Sequence, residues 1–176
     1  MATHEAAEAV KGARWVALTN GHYHSEREWF LSLADRLITF TVLLAGASTV
    51  VAAMDRRMTS AAAIAVTAFA FVQLVFAVGP SARRHATLKE KYFAIAADLE
   101  LGKMNPSEAQ ARMYALAGEE SPIYAAAHAL SQNWATGAVY GSSSSNKLCK
   151  VHWFRRVTRN VLRHASHDFH GTASAE

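Results

Sequence analysis

The sequence contains one cysteine, Cys149, among 176 residues. A chain with a single cysteine has no intramolecular disulfide, which fits a reducing compartment. The chain also lacks a glycine-rich phosphate loop, a paired-cysteine motif and a nucleophile elbow. We therefore expect that the protein is not an enzyme and that it needs no cofactor.

Charge is absent from two long stretches. Residues 37–54 and 61–82 contain no Asp, Glu, Lys, Arg or His. As helices they would be about 27 and 33 Å long, which brackets a hydrocarbon core of about 30 Å. Their apolar residues do not alternate as in a strand, and a soluble core helix would normally carry a polar face. The sequence predicts a transmembrane hairpin with spans at about 37–54 and 61–80, and the alternative is the centre of a cytosolic helical bundle.

Polar residues within the two spans weaken insertion, so each helix alone would insert only marginally. A short connection makes the two helices antiparallel neighbours, and we expect them to enter the bilayer as a pair. Polar groups at this depth favour a helix contact or a water-filled pore. The candidate pore-lining or interhelical residues are Thr41, Ser48, Thr49, Thr67 and Gln73.

The basic residues that flank the spans predict the orientation of the hairpin. Arg27 and Arg36 precede the first span, and four more basic residues follow the second, whereas the turn carries Arg56 and Arg57. The positive-inside rule then places both termini in the cytoplasm. We also expect no signal peptide, because the first apolar run begins only near residue 37.

We expect an all-α fold, in which a two-helix transmembrane hairpin continues into long helices that form a cytoplasmic bundle. Leu88, Tyr92, Ile95 and Leu99 recur at helical spacing after the second span, so that helix should continue as a stalk and pack on the region before the first span. The predicted regions are an N-terminal helical region 1–36, the hairpin 37–82, a helical region 83–140, a flexible loop 141–146, a basic helix 147–164 and a disordered tail 165–176.

A capped helix follows the stalk. Gly102 should end the stalk, and Asn105 should cap a new helix that has Pro106 in its first turn, Glu108 three residues after the cap and Gly118 as its terminator. A further helix is expected from Pro122 to about Tyr140, before the GSSSSN stretch.

The predicted last helix, 147–164, is basic and amphipathic. Its apolar face could close the cytoplasmic bundle, or the helix could lie on anionic lipid. Nucleic acid is the weakest of the three options, because no recognised nucleic-acid fold accompanies the helix. The candidate membrane-surface residues are Lys147, Lys150, Arg155, Arg156, Arg159 and Arg163.

Histidines occur in two groups. His22 and His24, in GHYH, could sense pH or bind a ligand, but residues two apart on a helix face different directions, so we expect interhelical packing. The stretch HASHDFH carries His164, His167, Asp168 and His170, which are metal-ligand types, but we interpret it as a solvated, partly disordered tail. We expect no metal site.

In its order of features the chain resembles the SLATT family, the SMODS- and SLOG-associating two-transmembrane effector domains of bacterial conflict systems. The resemblance covers nearly the whole chain: GHYHSEREWF, the short-looped hairpin, HATLKEKYFAIAADLE, the capped helix, SPIYAAAHALSQNWATGAVYG and KVHWFRRVTRNVLRH. Asn133 occupies the place of the family's Asn. The chain departs from the family at Trp134, where many members carry an acidic residue.

The resemblance implies an oligomeric effector of the bacterial inner membrane that opens a pore or disrupts the membrane when a partner encoded nearby, or a nucleotide signal, reports infection. The expected partners are therefore the lipid bilayer, further copies of the chain and a sensor protein, and not nucleic acid. Two other interpretations stay open: a membrane-anchored scaffold that conducts nothing, and a soluble helical binding module.

Overall fold

The structure, a computed structural model, describes residues 2–50, 64, 67–72, 77–141 and 148–165. All regular secondary structure in these ranges is α-helical, which confirms the predicted all-α class. Within the same ranges, no helix combines the length and the apolarity needed to span a membrane. The helices are α1 (Ala2–Val50), α2 (Val78–Glu100), α3 (Pro106–Ala117), α4 (Ala125–Tyr140) and α5 (Trp153–Thr158), and residues 67–72 are also helical.

The chain divides into two compact units. Unit 1 consists of Met1–Glu26 and Ala86–Glu176, and unit 2 consists of Arg27–His85. The boundary between them therefore falls within α1 and within α2. The predicted tip of the hairpin, most of the predicted loop 141–146 and the predicted tail beyond residue 165 lie outside the described residues.

The core of unit 1 forms along the stripe predicted on α2. Leu88, Tyr92, Ile95 and Leu99 are all buried, in one cluster with Ala17 of α1 and with residues of α3. Leu18, on the segment predicted to receive the stalk, packs against this cluster. The predicted packing of the stalk on the N-terminal region is thus confirmed. The prediction was possible because a single apolar stripe on a helix indicates which face of the helix is buried.

The predicted helix ends near residue 102 are also confirmed. Gly102 has a φ of 64°, and the N–H of Lys103 donates to the carbonyl of Asp98 at 2.9 Å, so α2 ends in a left-handed glycine turn. The side chain of Asn105 caps α3 by accepting from the N–H of Glu108 at 2.8 Å. Gly118 ends α3 with an ordinary helical φ of −65°.

The prediction of one helix running from the second span into the stalk is wrong. Ala77 has a φ of 43° and is not helical, and α2 begins after it at Val78. Pro80 gives the physical reason, because proline lacks an N–H and is tolerated only in the first turn of a helix. Within unit 2, Gly79 lies so close to α1 that a Cβ there would be 3.1 Å from the Asp35 carboxylate.

Two other helix bounds also differ from the prediction. Residues 121–124 have no helical structure, so α4 begins at Ala125 and not at Pro122. The prediction of a single helix over 147–164 is wrong, because the helix in this region is the shorter α5. Residues 148–152 have no helical structure, His152 caps α5, and residues 159–165 follow the end of the helix.

Candidate functional site

Three buried polar side chains meet inside unit 1. The Tyr92 hydroxyl donates to Glu120 Oε1 at 2.5 Å, and His24 Nε2 lies 3.2 Å from the same oxygen. The His24 and Tyr92 rings stack with centroids 5.6 Å apart. His24 and Tyr92 are almost fully buried, and the Glu120 side chain is 10% exposed. We call this set the Glu120 cluster.

Three elements supply the Glu120 cluster. His24 comes from α1 and Tyr92 from the buried stripe of α2, whereas Glu120 lies in the turn after α3. The N–H groups of Glu119 and Glu120 donate to carbonyls of the last turn of α3 at 2.8 and 3.2 Å. These two bonds hold the Glu120 backbone against the end of α3, so its carboxylate reaches the two aromatic rings.

The cluster keeps Glu120 ionised. Burial acts to raise the pKa of this carboxyl, but the hydrogen bonds from His24 and Tyr92 outweigh burial, so its pKa lies below the ordinary value. Burial and the bond to Glu120 raise the pKa of Tyr92, which therefore stays a neutral donor. Asn20 of α1 also hydrogen-bonds the Tyr92 side chain.

A second aromatic contact joins α1 to α4. The Tyr23 hydroxyl accepts from the N–H of Tyr124 at 3.1 Å, and the Tyr23 ring meets the His128 ring edge-on at 5.8 Å. Burial lowers the pKa of His128, so the ring is neutral at pH 7. Tyr124 caps α4 without a side-chain bond of its own, so Tyr23 satisfies one of the N–H groups at the start of that helix.

A cavity of about 520 Å³ adjoins the Glu120 cluster. It lies between the first turns of α1, helix α3 and the turn that follows α3. Asn20, Tyr92 and Glu120 form part of its wall, and most of the remainder is apolar. The volume lies in the range of about 300 to 1,000 Å³ that is usual for small-molecule sites.

The histidines of GHYH pack between helices, as predicted. His24 lies in the Glu120 cluster, whereas the His22 ring stacks on Trp134 of α4 with centroids 4.5 Å apart and planes 7° from parallel. Burial lowers the pKa of His22. The two rings thus face different partners, as their spacing requires.

Asn133 holds the segment that precedes α5. Its Nδ2 donates to the carbonyl of Cys149 at 2.8 Å, and its Oδ1 accepts from the N–H of the same residue at 2.6 Å. An amide that pairs with both backbone groups of one residue prevents that residue from forming helical bonds. This contact explains why the predicted helix 147–164 is shorter in the structure.

Four of the five predicted pore-lining residues lie in helical segments of the described chain. Thr41 of α1 donates from its hydroxyl to the carbonyl of Leu37 at 2.8 Å, so this hydroxyl is satisfied within its own helix. Ser48 and Thr49 lie in α1, Thr67 is helical and exposed, and Gln73 lies outside the described residues.

The predicted basic surface divides into engaged and exposed residues. Arg159 pairs with Glu26 at 2.7 Å, and the Arg163 guanidinium lies 5.7 Å from the centroid of the Tyr124 ring. Lys150 and Arg156 are exposed, Arg155 is half-buried, and Lys147 lies outside the described residues.

Large apolar side chains accompany the exposed basic residues. Val151 packs against the buried Ala126 and Ala129 of α4, but the other large apolar side chains of 148–162 are exposed. Their exposure argues against the interpretation that the apolar face of the predicted last helix closes the bundle. We call the exposed set the C-terminal patch; it consists of Leu148, Trp153, Phe154, Val157, Val161 and Leu162.

The structure supports no metal site where it describes the chain, since no three potential ligands converge there. His164 lies 3.1 Å from the Thr158 hydroxyl, and the other potential ligands of HASHDFH lie outside the described residues. No protein-family model, curated protein or solved structure matches this chain.

Sequence reasoning missed the Glu120 cluster. Tyr92 was expected only as a core residue of the stripe, and Glu120 stands in a turn with no motif around it. One signal was present: a Tyr on an otherwise aliphatic buried stripe needs a partner for its hydroxyl. That signal does not say which acid or amide supplies the partner.

Proposed function

We propose that the protein is an oligomeric effector of the bacterial inner membrane, with a transmembrane hairpin at about 37–54 and 61–80 and both termini in the cytoplasm. The observation that carries the proposal is the exposure of large apolar side chains on the uncharged part of α1. Leu37, Phe40, Leu43 and Leu44 are each more than half exposed. Contiguous apolar surface of this kind is rare on soluble monomers and marks contact with lipid or with protein.

The second segment carries similar side chains. Ile64 and Phe71 are more than half exposed, and no charged residue lies between 61 and 82. The break at Ala77 limits a helix that starts at residue 61 to about 24 Å, somewhat short of a hydrocarbon core of about 30 Å. Local thinning of the bilayer accommodates such a mismatch at a cost of fractions of a kcal/mol per Å.

Pore formation requires several copies, because two helices cannot enclose a conduit. In this proposal Thr41, Ser48, Thr49, Thr67 and Gln73 supply the polar groups at depth, either between helices or along the pore. The bond from the Thr41 hydroxyl to its own helix makes Thr41 compatible with lipid as well. Gln73 carries two donors and an acceptor, so it is the residue that most needs a polar partner.

The C-terminal patch supports contact with the membrane surface. Trp153 and Phe154 are exposed beside Lys150 and Arg156, and aromatic side chains next to basic ones suit the interface of an anionic bilayer. Each basic residue near such a surface contributes about 1 kcal/mol. Arg159 and Arg163 contribute less, since both already have partners within unit 1.

The defence role and its trigger rest on the resemblance to SLATT effectors. The order of the hairpin, the capped helix, the Asn133 segment and the terminal Trp- and Arg-bearing stretch supports that assignment. In this proposal a sensor protein encoded nearby, or a nucleotide signal, causes the assembly to open. A scaffold that anchors a partner without conducting is the competing role.

Dye release from vesicles tests the proposal. Together with the partner or nucleotide that triggers it, the purified chain in phosphatidylethanolamine–phosphatidylglycerol vesicles should release an enclosed dye, and Gln73→Leu should reduce the rate several-fold because it removes the strongest polar group at depth. Gln110→Leu is the matched control, since Gln110 is exposed on α3, outside both spans. An oligomer that inserts and yet never releases dye, even when co-expressed partners trigger it, would favour the scaffold.

A further inference from the structure

The cavity beside the Glu120 cluster has an apolar body and one polar end. Its apolar lining includes Ala13 and Val16 of α1, Met113 and Ala117 of α3, and Ile123. Asn20, Tyr92 and Glu120 make the polar end at the Glu120 cluster, and Gln110 and Tyr114, which hydrogen-bond each other at 3.3 Å, also line the cavity. A ligand that fills the cavity would therefore need a compact apolar part and a polar group at one position.

The polar end retains an unused acceptor. Glu120 Oε1 serves both His24 and Tyr92, whereas Glu120 Oε2 makes no hydrogen bond with the described part of the chain. The Glu120 side chain is nine-tenths buried and lines the cavity, so a ligand in the cavity can reach this carboxylate. An ionised oxygen in such a place favours a ligand that donates a hydrogen bond, and a cation most of all.

The charge of the cavity wall selects against anions. Among its lining residues there is no Lys, Arg or His, and Glu120 is the one ionisable acid. A phosphate or carboxylate placed here would be repelled by Glu120, and no lining residue supplies a compensating cation. Nucleotide phosphates therefore do not suit this cavity, although a nucleotide signal is part of the family resemblance.

We propose that this cavity is a binding site for a small amphiphilic amine, whose apolar body lies between α1 and α3 and whose ammonium group donates to Glu120. The site is built entirely within unit 1, so the proposal stands whether or not unit 2 spans a membrane. Asn20 and the Tyr92 hydroxyl supply further polar groups beside the ammonium.

Gly12 allows the cavity to be filled without disturbing the fold. It lines the cavity, and a Cβ placed on it would meet nothing within 4 Å. Gly12→Leu therefore puts a side chain into the empty volume and also suits a helix better than glycine. Gly137 of α4 is a matched control, because a Cβ there also meets nothing within 4 Å, and Gly137 does not line the cavity.

Two pairs of probes test the ligand class by calorimetry or ligand-observed NMR on the full chain in detergent. Tryptamine and octylamine have aromatic and aliphatic bodies with an ammonium group, and indole-3-acetate and octanoate are their anionic counterparts. At least one amine should bind saturably, and its anionic counterpart should bind at least about tenfold more weakly, the factor expected for losing one charged hydrogen bond.

The variants assign the binding to this cavity. Gly12→Leu should raise the Kd of the bound amine at least about tenfold, and Gly137→Leu should leave the Kd unchanged. Glu120→Gln should abolish the preference for the amine over the anion, with folding checked by circular dichroism. The proposal is overturned if neither amine binds, if the anions bind as well as the amines, or if Gly12→Leu and Gly137→Leu behave alike.

Discussion

Glu120 is the residue on which the polar interior of unit 1 depends. Its carboxylate satisfies the Tyr92 hydroxyl and lies against His24, and both of these side chains are almost fully buried. Removing one partner from a buried hydrogen bond costs about 1 to 3 kcal/mol, because the other partner is left without water. The cluster is therefore a structural requirement of unit 1 as well as one wall of its cavity.

Acid should destabilise unit 1 in two successive pH ranges. The pKa of His128 is lowered by burial, so the unfolded chain takes up a proton at a higher pH than the folded chain does. The free energy of unfolding should then fall as the pH drops below about 6.5. Glu120 acts at lower pH: its pKa is also lowered in the fold, so its stabilisation is present above about 4.3 and is lost as the pH falls through the folded value.

Thermal melts by circular dichroism between pH 8 and 4 measure this effect. His128→Asn should flatten the dependence between pH 7.5 and 5.5 without abolishing it, since burial also lowers the pKa of His22. His4→Asn, a change to an exposed histidine of α1, is the matched histidine substitution, and the effect of His128→Asn should exceed it. A melting temperature that rises on acidification over this range would contradict the assignment.

At the scale of elements, the end of α2 is set by a single glycine. Gly102 holds a φ of 64°, a conformation that costs an L-residue roughly 1 to 2 kcal/mol. A turn of only a few residues then leads from Gly102 to the Asn105 cap, so the direction of α3 depends on this conformation.

Gly102→Ala should lower the free energy of unfolding by about 1 to 2 kcal/mol. No atom lies within 4 Å of the Cβ position, so the loss would come from backbone conformation and not from a clash. Gly118→Ala makes the same change at the end of α3, where φ is −65°, and it should cost little or stabilise slightly. Equal losses in the two variants, measured by chemical unfolding in detergent, would refute this explanation.

Elements that depend on local chemistry were predictable from the sequence. The stripe on α2, the glycine at its end and the Asn105 cap each involve residues within a turn or two of one another. The limits of α5 were not predictable, because Asn133 acts from 16 positions away. Gly79 and Pro80 indicated the break at Ala77 locally, but the uncharged run around them favoured the prediction of a continuous helix.

On the scale of the whole molecule, apolar residues are distributed unequally. Unit 1 has a buried core and a buried polar cluster, whereas the uncharged stretch of α1 in unit 2 exposes one large apolar side chain after another. Either lipid or further copies of the chain could cover this surface. A substitution that only lipid would penalise makes that distinction.

Membrane partition of two matched variants tests the central claim most directly. Leu43 and Leu101 are 66% and 65% exposed, so Asp at either position would disturb a soluble molecule equally little. At the centre of a span, Asp costs roughly 2.5 to 3.5 kcal/mol on insertion. After a carbonate wash, we expect the unaltered chain and Leu101→Asp in the membrane pellet and Leu43→Asp largely lost from it. Recovery of the unaltered chain as a monomer in detergent-free supernatant, or equal partition of the two variants, would contradict the membrane account.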